Sequence, residues 1–231
     1  MEEERLKEKL RANEAQLQYY QLQTDPHFYL NCLNTISTLL QNEKKEVAND
    51  MIIALSGHFR YMFRKSRSLV LLKEELEEVQ DYCRIYNIRN GIPLLVDMDV
   101  SKSEMLCKVP ILCIQTFVEN AIKYYGKNGQ MLQVRIQIRR IKKEYKKEFL
   151  KIRITDNGVG YTKENLDEFN KPVDKFVYKS SHVGIDNLKY RFKLIFENEA
   201  DIYFYNAPYS GAVVEMTIPA KEDDSDENIN N

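Results

Sequence analysis

The sequence predicts an α+β fold: an N-terminal helical hairpin followed by a mixed sheet covered by helices, an α/β layer sandwich. Three observations carry this. Apolar residues recur every three or four positions through residues 5–65, the period of amphipathic helices. Strict alternation then occupies 132–138 and 150–154, and a second alternating pair, 202–205 and 212–218, closes around the turn APYSG. Helical patterns at 72–86, 110–125 and 184–198 interleave with these strands.

Leu6, Leu10, Asn13, Leu17, Tyr20 and Thr24 follow alternating spacings of four and three, a short coiled-coil seam; a lone amphipathic helix is the other reading. The seam runs into LQTDPHFYLNCLNTISTLL, residues 22–40. There Asp25 can cap a helix and Pro26 suits a first turn, or the proline kinks a longer helix. His27, Asn31, Asn34 and Thr38 fall on one arc. Phe28, Tyr29, Cys32, Leu33, Ile36, Leu39 and Leu40 take the opposite side and are expected inward, so the histidine should point away from the core. Across the polar link QNEKKE, residues 46–65 put Val47, Met51, Ala54, Leu55, Phe59 and Met62 on one side, giving two antiparallel helices.

The basic run FRKSRSLV breaks the pattern and sets the expected boundary, with a helical domain over 1–70 and a second domain over 71–220. Leu72, Leu76, Val79, Cys83 and Tyr86 mark a third helix whose first turns carry Glu74, Glu75, Glu77 and Glu78, where the macrodipole favours acids. LLVDMDV reads as a strand. Pro110 is expected to open a helix that runs to Tyr125 and stops at Gly126. The charged RRIKKEYKKE between the two clear strands reads as a solvated hairpin tip, and the stretch after the second strand as polar and irregular. A last helix faces Ile185, Leu188, Phe192 and Ile195 inward, and the acidic tail 221–231 lacks the apolar residues to order itself.

Composition limits function. Lys and Arg number 34 against 35 Asp and Glu, so net charge lends nucleic-acid binding no support. Cys32, Cys83, Cys107 and Cys113 are too scattered for a zinc site or a disulfide framework, and buried thiols of a reducing cytosol are expected. No apolar run reaches the roughly 20 residues that span a bilayer, and the acidic start is no signal peptide. A soluble, cytoplasmic chain is expected.

Three groups of residues carry candidate chemistry. In QTFVENAIKYY, Glu119, Asn120 and Lys123 gather a carboxylate, an amide and an ammonium that can hold a metal and polyphosphate, although exposed Glu and Lys on a helix usually do nothing. Asp156, Asn157, Gly158, Val159 and Gly160 follow a buried-type strand; the two glycines let backbone turn sharply or approach a ligand, the bland alternative being a capped turn. SSHVGIDN, residues 180–187, offers free amides for phosphate at a helix start.

In this order the three boxes resemble the GHKL ATP-binding fold of histidine kinases, gyrase and MutL. Joined to QTDPHFYLN, residues 23–31, the chain resembles the LytS/YehU-type sensor histidine kinases, whose phosphoacceptor motif reads approximately Q-I-N-P-H-F-L-Y-N. The resemblance also takes in LSGHFRYMFR and LKEELEEVQDYCRIYNIRNG and covers about residues 16–219. It implies a dimeric four-helix bundle, ATP and Mg²⁺ as cofactors, and a response-regulator receiver domain as partner, with any membrane attachment through segments upstream of such a coiled coil. It implies that His27 is phosphorylated, that Asn120 holds Mg²⁺, and that Glu119 orients the reaction. Asp156 would read adenine; Gly158, Gly160 and Gly184 would lie in the nucleotide loops, with Lys123 and Asn187 near the phosphates. The proton of His27 falls to Asp25 or Glu119, since Phe28 stands where other histidine kinases carry an acid. Asn31 would orient a water for dephosphorylating the partner. The chain departs from the pattern at His182, at Tyr124-Tyr125 in place of His-Gly, and at Thr24-Asp25. A GHKL ATPase without histidine transfer and a degenerate nucleotide-binding scaffold are the alternatives those departures keep open.

Overall fold

The computed structural model describes residues 26–62, 68–91, 93–125, 131–143, 147–172, 183–197 and 199–221. The expected seam over 5–24, Asp25, Gly126, His182 and residues 222–231 of the acidic tail lie outside them. Helices α1 (Pro26–Gln41) and α2 (Lys45–Met62) form the hairpin. β1 (Leu69–Leu71) leads into α3 (Leu72–Asn90), β2 (Leu95–Asp99), a 3₁₀ turn and β3 (Lys108–Pro110). α4 (Gln115–Tyr124), β4 (Gln133–Lys142), β5 (Glu148–Asp156), α5 (Lys163–Phe169), α6 (Val183–Phe196), β6 (Asp201–Asn206) and β7 (Ala212–Pro219) complete the chain.

The main sheet runs β2-β4-β5-β7-β6, with β2 parallel to β4 and every other pair antiparallel. Alternation decides its two faces. Val134, Ile136 and Ile138 of β4 and Leu150, Ile152 and Ile154 of β5 are buried, as are Val214, Met216 and Ile218 of β7. These side chains meet Leu76 and Val79 of α3, Phe117 and Val118 of α4, and Leu188 and Phe192 of α6 in one core. The opposite face is polar and laced with ion pairs such as Arg153 with Glu215 (2.8 Å). A smaller cluster, built on Cys32, Ile36, Met51, Ala54 and Leu55, holds the hairpin and reaches Ile85 of α3. Where α2 crosses α3, a Cβ on Gly57 would stand 2.9 Å from an Asp81 oxygen, so the missing side chain permits the approach. Among the described residues no helix is long and apolar enough to cross a membrane.

Five expectations are corrected. The helix expected from Pro110 starts at Gln115; Pro110 instead ends β3, opposite Leu69. The cause is Glu75, whose carboxylate accepts from the amides of Leu112 (2.7 Å), Ile114 (2.8 Å) and Gln115 (3.2 Å) and from the Tyr61 hydroxyl. It supplies from a distance the acceptors that the first turn of α4 lacks in its own sequence. By the same token Glu75 and Glu78 are buried and do not simply decorate a helix start; Glu78 pairs with His58. Residues 139–142 of the supposed wet tip are strand, because Arg140 reaches across to Glu148 (2.7 Å) and Arg139 to Asp99 (2.5 Å). The stretch after β5 contains α5, seven residues started by Thr162, whose hydroxyl accepts from the Asn165 amide (3.2 Å). Finally, Leu33, Leu40 and Val47, expected inward, are exposed.

Candidate active site

β5 carries Asp156 to its last position, and the chain then folds back on itself. Asp156 Oδ1 accepts from the amides of Gly158 (2.8 Å) and Ala212 (3.1 Å). Burial raises its carboxyl above the usual range, against the downward pull of those two amides. Gly160 has φ +80°, and a Cβ there would lie 2.7 Å from Asn206 Oδ1, which accepts from the Tyr161 amide (2.7 Å). Gly211 has φ +102°, and a Cβ would come within 1.8 Å of the Asp156 carbonyl oxygen. Ser210 Oγ donates to the Gly158 carbonyl (2.7 Å), and the Asn157 amide bridges Gln133 N and Met131 O. The two loops are thereby stitched into one wall.

That wall encloses a cavity of about 180 Å³. Phe117, Ala121, Ile154, Phe169, Ile185 and Val214 make it apolar, Tyr124, Tyr125 and Tyr161 frame it, and Asp156 is its one carboxylate among the described residues. The second oxygen of Asp156 has no hydrogen-bond partner among the described residues, so it can accept from a ligand N–H. Burial pushes the Tyr161 phenol up, which keeps it neutral.

A second cavity, about 590 Å³ and far more polar, lies between the hairpin and the sheet domain. α1 contributes His27 and Asn31; α4 contributes Gln115, Glu119, Asn120 and Lys123; α6 contributes Gly184, Asn187 and Arg191. Asn31 Nδ2 lies 3.1 Å from His27 Nδ1. Glu119 accepts from Gln115 Nε2 (2.8 Å), and the Lys123 ammonium stands 5.3 Å over the Tyr124 ring. Two buried donors have no partner among the described residues: Asn120 Nδ2 and Arg191 Nε. Arg191, buried throughout, spends one guanidinium nitrogen on the Ile111 carbonyl.

Asn120 lines both cavities. A ligand with a flat apolar end in the first and a polyanionic end in the second would meet complementary chemistry along its length, and the residues present therefore fit ATP with its divalent metal.

Of the residues singled out from sequence, Asp156, Gly158, Gly160 and Asn120 come together at the first cavity, and His27, Asn31, Glu119, Asn120, Lys123, Gly184 and Asn187 at the second. Asp25 lies outside the described residues. Gly184 has no left-handed backbone, and a Cβ would make only ordinary contact with Thr116 (3.6 Å), so the geometry around it does not demand glycine. His27 is exposed, as its helical arc requires, but it faces a cavity and not open solvent alone. Sequence reasoning passed over Tyr161, Gly211, Arg89 and Arg191. Gly211 was visible only as a turn residue; nothing local marks the arginines. His58 Nε2 lies 3.2 Å from the Tyr29 hydroxyl while its Nδ1 faces Glu78, which joins α1, α2 and α3 at the rim of the second cavity.

Two protein families match the chain: histidine kinase over residues 15–94, and histidine kinase-, DNA gyrase B-, and HSP90-like ATPase over residues 110–222. The chain is 31% identical to the sensor protein LytS of Staphylococcus saprophyticus over 89% of its own length and 34% of the relative's. It is 29% identical to LytS of Enterococcus faecalis over 94% of its length and 36% of that protein's. An uncharacterized sensor-like histidine kinase of Staphylococcus epidermidis is 29% identical over 90% of the chain and 40% of its own length. The chain thus spans well under half the length of these relatives.

Proposed function

The chain belongs to the sensor histidine kinases, which both of its parts match, and on that premise we propose that it moves the γ-phosphoryl group of ATP to His27 and from there to a response-regulator aspartate. The observation that carries this reading is the second cavity, in which His27 and the polar edge of the nucleotide helix α4 line one space. We read residues 1–70 as the dimerisation and phosphotransfer domain and 71–220 as the ATP domain.

Asp156 would accept from the adenine amino group with its second oxygen, the first being held by Gly158 and Ala212. Asn120 would hold Mg²⁺, which when bound offsets phosphate charge; Lys123 and Asn187 would face the phosphates. Phosphoryl transfer asks the protein for position and charge complementarity more than for covalent help. A half-turn of the Asn31 amide exchanges its nitrogen and oxygen, so that Oδ1 accepts from a proton on Nδ1 of His27. That tautomer places the lone pair on Nε2. Nε2 then bonds to the γ-phosphorus as the bond to the bridging oxygen breaks, ADP leaves with the electron pair, and the Nδ1 proton stays on the ring until a carboxylate, Glu119 or Asp25, takes it. With a receiver domain bound, Asn31 would also orient a water for dephosphorylation.

The test is incubation with γ-labelled ATP and Mg²⁺, which should leave on the chain a phosphate stable in alkali and lost in acid. Asp156→Asn should weaken ATP binding about 10- to 150-fold, the loss of roughly 1.5–3 kcal/mol expected for one charge-assisted hydrogen bond. Calorimetric titration checks this, and parent-like affinity would remove Asp156 from the adenine site.

A homodimer is the assembly we propose. Leu30, Leu33 and Leu40 repeat along the outer side of α1 with 60%, 58% and 49% of their surface exposed, and Ile53 on α2 with 55%. Such an apolar stripe on a hairpin suits packing against a second copy into four helices. Light scattering should report a dimer at micromolar concentration, and Leu33→Glu with Ile53→Glu should give a monomer; a monomeric parent would refute the assembly.

A further inference from the structure

Arg89, a cation on the lining of the second cavity, has no task in the roles above. Arg89 lies in the last turn of α3, half-buried, on the lining that also holds His27, Asn31, Asn120 and Lys123. Its guanidinium carbon stands 5.2 Å from the centroid of the Phe28 ring, and it lies beside the Cys32 thiol, whose pKa its charge draws down against the larger upward push of burial. Phe28 follows His27 directly and Cys32 lies one turn further on. Both contacts therefore hold the guanidinium against the very turn that carries the histidine.

These partners stack and orient; they do not neutralise. No carboxylate among the described residues forms an ion pair with Arg89. A guanidinium withdrawn from water is costly unless an anion meets it, and its planar fork matches the oxygens of a phosphoryl group. Lys123 and Arg191 approach the same space from α4 and α6. Arg89 alone of the three is fixed to the helix that carries His27.

We propose that Arg89 is a catalytic residue that binds the phosphoryl group as it arrives on His27, donating two N–H groups to oxygens of the transferring phosphoryl and afterwards to those of the phosphohistidine. This rests on the kinase reading above. Charge spreads over the equatorial oxygens in the transition state, and an arginine in contact with them stabilises that state more than bound ATP. The residue should thus act on the rate of transfer and leave nucleotide affinity almost untouched. Its contacts with Phe28 and Cys32 would hold the fork in place before the phosphoryl group arrives.

The test measures label incorporation at saturating ATP and Mg²⁺, ATP affinity by calorimetry and the thermal midpoint, for the full chain, Arg89→Gln and Arg89→Lys. Arg89→Gln should label on the order of 10²–10³-fold more slowly with ATP affinity within about twofold of the parent. Arg89→Lys, with its charge but no fork, should fall between. A packing role predicts otherwise: both variants would lose thermal stability and slow together, and that result overturns the proposal, as does Arg89→Gln labelling at the parent rate. Should Arg89→Gln fail to fold, Arg89→Lys decides, supporting the fork if at least about tenfold slower and refuting it if parent-like. An unlabelled parent defeats the kinase reading itself; a labelled parent with fully active Arg89 variants defeats only the role of the arginine.

Discussion

His27→Gln should abolish the acid-labile label and leave ATP affinity close to that of the parent. Glutamine keeps the length and polarity of the side chain but has no nitrogen lone pair able to form the P–N bond, so the expected loss is complete and not a fractional slowing. ATP binding should survive because the apolar cavity around Asp156 contains no atom of His27. His58, whose ring is held by Tyr29 and Glu78, serves as the internal control, together with His182. Label persisting in His27→Gln would show that another residue is the acceptor. Label absent from the parent despite bound ATP would favour hydrolysis without transfer, or a nucleotide-binding scaffold, and His182→Gly would be the first change to try.

Glu75→Ala should cost stability on a scale few single changes reach. The carboxylate is fully buried and takes three backbone amides at the start of α4 together with the Tyr61 hydroxyl. Burial raises its pKa while those four donors pull it down. Alanine strands all four donors away from water, and an unsatisfied buried donor costs about 1–3 kcal/mol, though not additively. A loss of about 3–5 kcal/mol is a large share of the roughly 5–15 kcal/mol that stabilises a domain. The urea midpoint should therefore fall by about 2 M at a slope near 2 kcal/mol/M. Glu75→Gln, which keeps one acceptor but turns a second donor toward the amides, should be intermediate. A midpoint change below about 0.5 M for alanine would show that water or relaxation replaces the carboxylate. Because α4 carries Glu119, Asn120 and Lys123, the alanine variant should also lose ATP affinity.

Much of this molecule was legible from local pattern. Alternation in β4, β5 and β7 reports which side chains meet the core, because the strand period is two and the sheet buries one face. The hairpin of α1 and α2 followed from apolar spacing, and the glycine and amide boxes picked out residues that line the two cavities. The arc through His27 and Asn31 was equally local: residues four apart on a helix are neighbours, and they lie in contact. Helix starts and helix faces were less legible. Leu33 and Leu40 satisfy the same spacing as Cys32 and Ile36, yet only the latter are covered, because a periodic stripe can be wider than the neighbour that packs on it.

What the sequence determined by itself was therefore the kind and order of elements and the residues with chemistry to offer. Tertiary structure alone decided where α4 begins, since its capping carboxylate, Glu75, lies 37 to 40 positions upstream. It alone buried Glu78 against His58, pressed Gly211 onto the Asp156 carbonyl and laid Arg89 on Phe28. Each of these is a contact between residues distant along the chain. Periodicity and capping encode only neighbours within a few positions, so an acid that looks solvated, or an arginine that looks ordinary, acquires its partner only when the core closes.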